Sequence, residues 1–96
     1  MSVQPHLLGP VLDTSAAGPL RHALLARIER GEPMHIDGAE VVRVGQAALQ
    51  VLASAGATAA ARGIDFRIDN PSEPLVRMAT LARLETVLDP AHDAGF

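Results

Sequence analysis

Residues 36–62, IDGAEVVRVGQAALQVLASAGATAAAR, decide how the chain folds. The run predicts a strand, a tight turn, a second short strand and then a long helix of small residues that begins near Gln46. The loop that leads into this helix has Gly45 at its tip. Because a helix N-terminus concentrates free backbone N–H groups and partial positive charge, we expect any functional site to lie there.

Polar and apolar residues follow separate stripes along this predicted helix. The polar stripe recurs at four-residue intervals, and the predicted buried stripe recurs at i, i+3, i+4, i+7 and i+11. The polar stripe is Gln46, Gln50, Ser54, Thr58 and Arg62, and the predicted buried stripe is Leu49, Leu52, Ala53, Gly56 and Ala60. The helix is therefore expected to be amphipathic, with one exposed polar edge.

Composition limits the classes of protein to which the chain can belong. Its 96 residues fit a single domain, and its 48% of apolar residues, with two Phe and no Trp, predict a core of small aliphatic side chains. The net charge of −3, with the Arg residues dispersed along the chain, argues against a nucleic-acid surface. The absence of Cys fits the cytoplasm. No segment has the pattern of a signal peptide or of a membrane span, so we expect a cytoplasmic protein without membrane insertion.

The N-terminal part of the chain predicts a strand followed by a helix. The strand covers residues 6–12 and is interrupted by Gly9-Pro10, and since proline cannot donate to a strand ladder we expect it at a sheet edge or with a bulge. Residues 13–15, Asp-Thr-Ser, can each cap the helix that follows. Pro19 is expected in the first turn of this helix, and Gly31 is expected to end it.

The C-terminal part repeats this alternation. Gly63 ends the central helix, and residues 64–69 alternate apolar and polar residues as a half-buried strand does. Asn70-Pro71 turns the chain, and Ser72 caps a further helix.

The element order predicts an α/β fold with a sheet of about four strands, mostly parallel or mixed, and three to four helices mainly on one face. We expect a frayed N-terminus at 1–5, a single domain at 6–88 and a flexible tail at 89–96.

Motifs for catalysis, metals and cofactors are missing from the sequence. The four His residues form no metal-ligand spacing, and no phosphate-binding glycine loop or nucleophile-elbow motif occurs. Asp13 and Asp37 each end a strand and could form a pair of carboxylates at one end of the sheet. In the simpler interpretation, Asp13 caps a helix and Asp37 ends a strand. We therefore predict no catalytic residue, no metal site, no cofactor and no enzyme activity.

The central stretch resembles the strand, loop and helix of STAS domains, which occur in anti-sigma-factor antagonists and sulfate transporters. In that family the stretch commonly reads LDLSGVxxIDSSGLxxLL. Asp37 matches its first aspartate, Val41 its valine, Val44 its isoleucine and Leu49 its leucine after the glycine. The flanks are similar too, since residues 9–13 look like the first strand of the family, and residues 66–72 look like its last strand and next helix start. The resemblance covers residues 7–88 and implies the STAS fold.

The sequence departs from the family at the regulatory loop. There the family carries an Asp-Ser pair whose serine, or sometimes threonine, is phosphorylated by a partner kinase, but the matching positions here are Gly45 and Gln46. The following Ser-Gly of the motif is Ala47-Ala48, so no hydroxyl is available for phosphorylation. Ser54 is two helical turns further on, roughly 12 Å away at about 1.5 Å per residue. The resemblance therefore implies a degenerate loop and a constitutive binder, or a module whose control lies elsewhere.

The family resemblance implies two kinds of protein partner. The first interpretation is a non-catalytic regulatory module for partner switching, which binds an anti-sigma factor, a related histidine-kinase-type ATPase, or a chemotaxis or stress-response kinase complex. The alternative is a small cytosolic STAS subunit that binds the ATPase of a lipid-transport ABC transporter. The missing hydroxyl does not separate the two.

The predicted contact surface combines the loop, the polar edge of the helix and the ends of two strands. Arg43, just before the loop, is either a plain surface residue or an interface residue that binds a carboxylate. The strand at 6–12 and the exposed sheet face also allow a homodimer. The predicted partner-binding residues are Gly45, Gln46, Ala47, Gln50, Ser54, Asp13, Asp37 and Arg43.

Overall fold

A computed structural model describes residues 6–84. Its elements, in chain order, are β1 His6–Leu7, β2 Val11–Leu12, α1 Thr14–Glu29, β3 Met34–Asp37, β4 Arg43–Val44, α2 Gln46–Ala61, β5 Phe66–Asp69 and α3 Glu73–Leu81. This is the α/β fold that the sequence predicts. The predicted segments 1–5 and 89–96 lie outside the described residues, as do the last four residues of the predicted domain.

The strands form two small parallel sheets. One has the order β1-β3-β5 and the other pairs β2 with β4, so the sheet of about four strands that the sequence predicts is divided between them. The division occurs at Gly9-Pro10. The Pro10 carbonyl accepts from the N–H groups of Val42 and Arg43 at 2.8 and 3.1 Å, while Pro10 itself has no N–H to donate. The first strand therefore leaves β3 and continues beside β4.

The helices pack on one face of the three-stranded sheet. Met34 and Ile36 on that face are fully buried, and Phe66 pairs with Met34 in the register and packs against α2 at Gly56. The opposite face carries polar side chains, and His35 Nε2 lies 2.9 Å from Asp65 Oδ2. The core consists of Leu, Ile, Val, Met and Ala side chains, as the composition predicts.

Local signals set most of the helix ends. Asp13 caps α1 and Ser72 caps α3, each by accepting from a backbone N–H three residues ahead. Gly31 and Gly63 have φ values of +68° and +69°, which glycine adopts at little cost, and they follow the ends of α1 and α2. Both glycine stops are confirmed.

Pro19 lies further inside α1 than the sequence predicts. We expected it in the first turn, but because the cap at Asp13 starts the helix at Thr14, Pro19 falls in the second turn. There its ring nitrogen cannot donate to the Ser15 carbonyl, so α1 lacks one internal hydrogen bond.

The buried face of α2 is rotated slightly from the predicted stripe. Leu49 and Leu52 are fully buried as predicted, but Ala60 is exposed, and Ala53 and Gly56 are only half-buried. The buried alanines of α2 are Ala48, Ala55 and Ala59. The predicted polar edge at Gln46, Gln50 and Ser54 is exposed.

Candidate functional site

Two helix N-termini lie side by side at one end of the molecule. β2 and β4 pair in parallel with Leu12 opposite Val44, and the Gly45 N–H donates to the Leu12 carbonyl at 2.8 Å. The next residue on each strand caps a helix, Asp13 for α1 and Gly45 for α2. A Cβ at Gly45 would lie 4.0 Å from the Asp13 Cα, so the two helix starts are in contact.

The first turn of α1 is capped by a carboxylate. Asp13 Oδ1 accepts from the Ser15 hydroxyl at 2.6 Å and from the Ala16 N–H at 3.2 Å. The Ser15 hydrogen bond, supported by backbone N–H donors, lowers the pKa of the Asp13 carboxyl from its ordinary value. Asp13 is therefore held as an anion at the start of α1.

The first turn of α2 has neither a side-chain cap nor an acidic residue. Gly45 has an extended backbone conformation, and no side chain accepts from the N–H groups that follow it. Gln46 and Ala47 are exposed. This end of α2 therefore presents the partial positive charge of a helix N-terminus next to the anionic start of α1.

The other predicted site residues lie on α2, β4 and β3. Gln50 and Ser54 continue along the exposed edge of α2. Arg43 is exposed on β4 and pairs with Val11 in the register. Asp37 ends β3 and accepts from the Ala39 N–H at 2.9 Å, which fixes the turn after the strand.

The structure does not bring Asp13 and Asp37 together as a catalytic pair. The Leu8 N–H donates to the Asp37 carbonyl, so Asp37 lies beside the first strand five residues before Asp13. The chain bends at Pro10 between these two positions and passes from the side of β3 to the side of β4. Each carboxylate accepts from its own local backbone N–H instead. The paired-acid site considered from the sequence has no geometric support.

From the sequence, Thr14 and Ser15 are predicted only as possible helix caps. The structure places both on the exposed first turn of α1, directly after Asp13, whose backbone lies beside Gly45 at the start of α2. Only the pairing of β2 with β4 shows this proximity, and the one sequence signal for it is the position of Asp-Thr-Ser directly after a strand.

Within residues 6–84, no group of three or more His, Cys, Asp or Glu side chains could hold a metal ion. None of the helices in this described range combines the length and the apolar character needed to cross a membrane.

Comparison with known proteins identifies the family. A family model described as "Mlab, STAS domain" matches residues 7–89, which is most of the chain. No curated protein matches the sequence. STAS domains are in general regulatory or binding modules that mediate protein–protein interactions. The order of strands and helices, the loop before α2 and the family match together show that the chain belongs to the STAS domain family.

Proposed function

We propose that this chain is a non-catalytic docking module that binds a protein partner through the start of α2 and the adjoining start of α1. We call this surface the docking end and define it as Asp13, Gly45, Gln46 and Ala47. The observation that carries the proposal is the uncapped and uncharged first turn of α2, exposed at Gln46 and Ala47, beside an anionic helix start. Free N–H groups in such a turn can donate hydrogen bonds to a carbonyl or carboxylate oxygen of a partner.

Phosphorylation cannot switch the loop that leads into α2. No residue from Gly45 to Ala48 carries a hydroxyl, so a kinase cannot add a phosphate there. A phosphate would place about two negative charges at the start of α2. Gln46 is neutral, as an unphosphorylated serine is. The module is therefore constitutively competent to bind, and its regulation does not act through this loop.

Two exposed edges extend the proposed contact surface. Gln50 and Ser54 lead along α2 and offer amide and hydroxyl groups for hydrogen bonds. Arg43 on β4 offers a guanidinium for a partner carboxylate. The carboxylate of Asp37, the remaining predicted contact residue, is already engaged in the turn to Ala39.

The proposed partners are ATPase-containing assemblies of two classes. The first class is a bacterial signalling partner, namely an anti-sigma factor, a histidine-kinase-type ATPase, or a chemotaxis or stress-response kinase complex. The second class is the ATPase of a lipid-transport ABC transporter. Both place the module in the cytoplasm and require neither a cofactor nor a metal. Homodimer formation through β1, the edge strand of the three-stranded sheet, stays a prediction.

A pull-down from the native host tests the docking end. The bait is the tagged full chain as wild type, as Gln46→Glu and as Arg62→Gln. Both substitutions make the net charge more negative by one, but Arg62 caps the opposite end of α2, roughly 24 Å from Gln46 at about 1.5 Å per residue. We expect Gln46→Glu to lose the partner and Arg62→Gln to retain it.

Mass spectrometry of the recovered proteins separates the two partner classes. A kinase-type ATPase or a chemotaxis protein supports the signalling role, whereas an ABC ATPase with its permease supports the transporter role. Equal recovery of the partner by wild type and Gln46→Glu, under matched salt, would show that the docking end is not the interface.

A further inference from the structure

A groove of about 300 Å³ runs between α1 and α2, beside the docking end. Its floor is formed by Leu24, which is 1% exposed, and by Ala55. Leu25 and Val51 form its apolar walls, and Leu25 is 38% exposed. The small side chain of Ala55 lets a bound group come close to the backbone of α2. The groove therefore has apolar side chains at its centre and polar ones beside them, since Gln50, Ser54 and Thr58 also line it from α2.

The charge of the groove comes from one residue. Arg21 lines the groove from α1, and every other lining side chain is neutral. From Gln46 to Ala61, α2 contains no charged residue at all. Within residues 6–84, Arg21 takes part in no ion pair, whereas Arg30, Arg67 and Arg77 each have a carboxylate partner. A groove with apolar and neutral polar walls and a single unpaired guanidinium is complementary to an amphipathic ligand that carries one carboxylate.

We infer that this groove is the docking site for an amphipathic helix of the partner protein that presents an Asp or Glu carboxylate to Arg21. This inference rests on the proposed function and names the chemistry of the partner. Apolar side chains of such a helix would pack on Leu25, Val51 and Ala55, in the helix-in-groove mode of recognition. The carboxylate would form paired hydrogen bonds with the guanidinium of Arg21.

The location of the groove favours a protein helix over a small molecule. Gln50 and Ser54 line the groove and also belong to the exposed edge that leads from the docking end. A partner that reaches the start of α2 can therefore continue into the groove without leaving the surface. STAS domains are protein-binding modules, which agrees with this occupant.

Photo-crosslinking in the native host locates the occupant. The probe is the full chain with p-benzoylphenylalanine in place of Leu25. The matched control carries the same group in place of Leu7, another exposed leucine, which pairs with Asp37 on the open face of the three-stranded sheet. We expect the Leu25 probe to crosslink a partner peptide that has an amphipathic pattern and an acidic residue within one helical turn of the crosslink. A crosslink no stronger than that of the Leu7 control, or a crosslinked peptide without an acidic residue, would overturn the inference.

Charge reversal tests the role of Arg21. Binding is measured with the partner that the crosslinking identifies, purified separately and not crosslinked. We expect Arg21→Glu to weaken binding by about tenfold at low salt and less at high salt, and Arg21→Lys to stay within about threefold of wild type. Arg67→Glu, the same charge change on the open sheet face, serves as the control. Replacing the acidic residue of the partner by Arg should restore binding to Arg21→Glu. Unchanged binding of Arg21→Glu, with circular dichroism showing a native fold, would overturn the inference.

The variants also separate this inference from the proposed function. Loss of binding in Gln46→Glu with full binding of Arg21→Glu would keep the docking end and exclude the groove. Loss in Arg21→Glu alone would support the groove and exclude the docking end.

Discussion

Replacing Gln46 by Glu should change stability and binding in opposite directions. The first turn of α2 has no side-chain cap and no acidic residue, so a carboxylate at this first helical position meets an uncompensated helix N-terminus. An anion in the first turn stabilises a surface helix by about 0.3–1 kcal/mol. Asp13 lies beside Gly45 and repels the new charge, which sets the expectation near the lower part of this range, about 0.5 kcal/mol. For a domain of this size, that corresponds to an increase of about 3 °C in Tm.

Urea unfolding of wild type and Gln46→Glu as a function of pH measures this effect. The helix N-terminus lowers the pKa of the new carboxyl in the folded state, so the added stability is present above the unfolded pKa of about 4.3 and is lost as the pH falls through the folded value. Gln50→Glu is the control, because it places the same charge beyond the first turn, where the effect of the dipole has largely decayed. A Gln46→Glu variant that is no more stable than wild type at pH 7 and low salt would refute the reasoning that the start of α2 is an uncompensated positive end.

The remaining predictions concern packing and pH. Gly38→Ala should destabilise the fold by about 1–3 kcal/mol in urea unfolding, since its Cβ would lie 2.7 Å from Cδ2 of the fully buried Leu75. Gly18→Ala should instead stabilise the fold by about 0.5–1 kcal/mol, because Gly18 is inside α1 and a Cβ there meets nothing within 4 Å. A Gly38→Ala variant as stable as wild type would contradict the close packing of Leu75 against Gly38. Asp13→Ala should be less stable than wild type at pH 7, and the difference should vanish as the pH falls through the lowered pKa of Asp13, as thermal melts at pH 7 and pH 2 can show. Burial lowers the pKa of His6, so protonation opposes folding and stability should fall as the pH drops below about 6.5. The urea midpoint of His6→Gln should change less than that of wild type between pH 8 and pH 5, and an equal change would contradict this assignment.

The local signals of the sequence predicted the element order and most helix ends. Caps at Asp13 and Ser72 and stops at Gly31 and Gly63 depend on the backbone conformation of one residue and its near neighbours. Such interactions can be read without knowing the rest of the fold. The exposed start of α2 at Gln46 was predicted for the same reason.

Features that depend on distant pairing were not predicted. The sequence predicted a break in the first strand at Gly9-Pro10. It could not show that the chain there leaves β3 and pairs with β4, because that choice depends on residues about thirty positions away. The same pairing brings Asp13, the cap of α1, beside Gly45 at the start of α2.

The rotation of the buried face of α2 could not be predicted from the sequence either. Alanines occupy all sides of this helix, so an apolar pattern does not identify which of them face the core. Contacts with α1 and with the ring of Phe66 decide the rotation, burying Ala59 and leaving Ala60 exposed. The groove that contains Arg21 arises from the same packing of α1 against α2, and no sequence motif predicts it.

The position of the partner contact is the central claim, and an NMR titration tests it most directly. The full chain, labelled with ¹⁵N, is titrated with the partner purified from the pull-down, and the backbone amide shifts are followed. We predict that the largest changes fall at residues 13–15 and 45–54. Changes confined to the polar face of the three-stranded sheet, around His35 and Arg67, would contradict the claim and place the interface on the opposite side of the molecule.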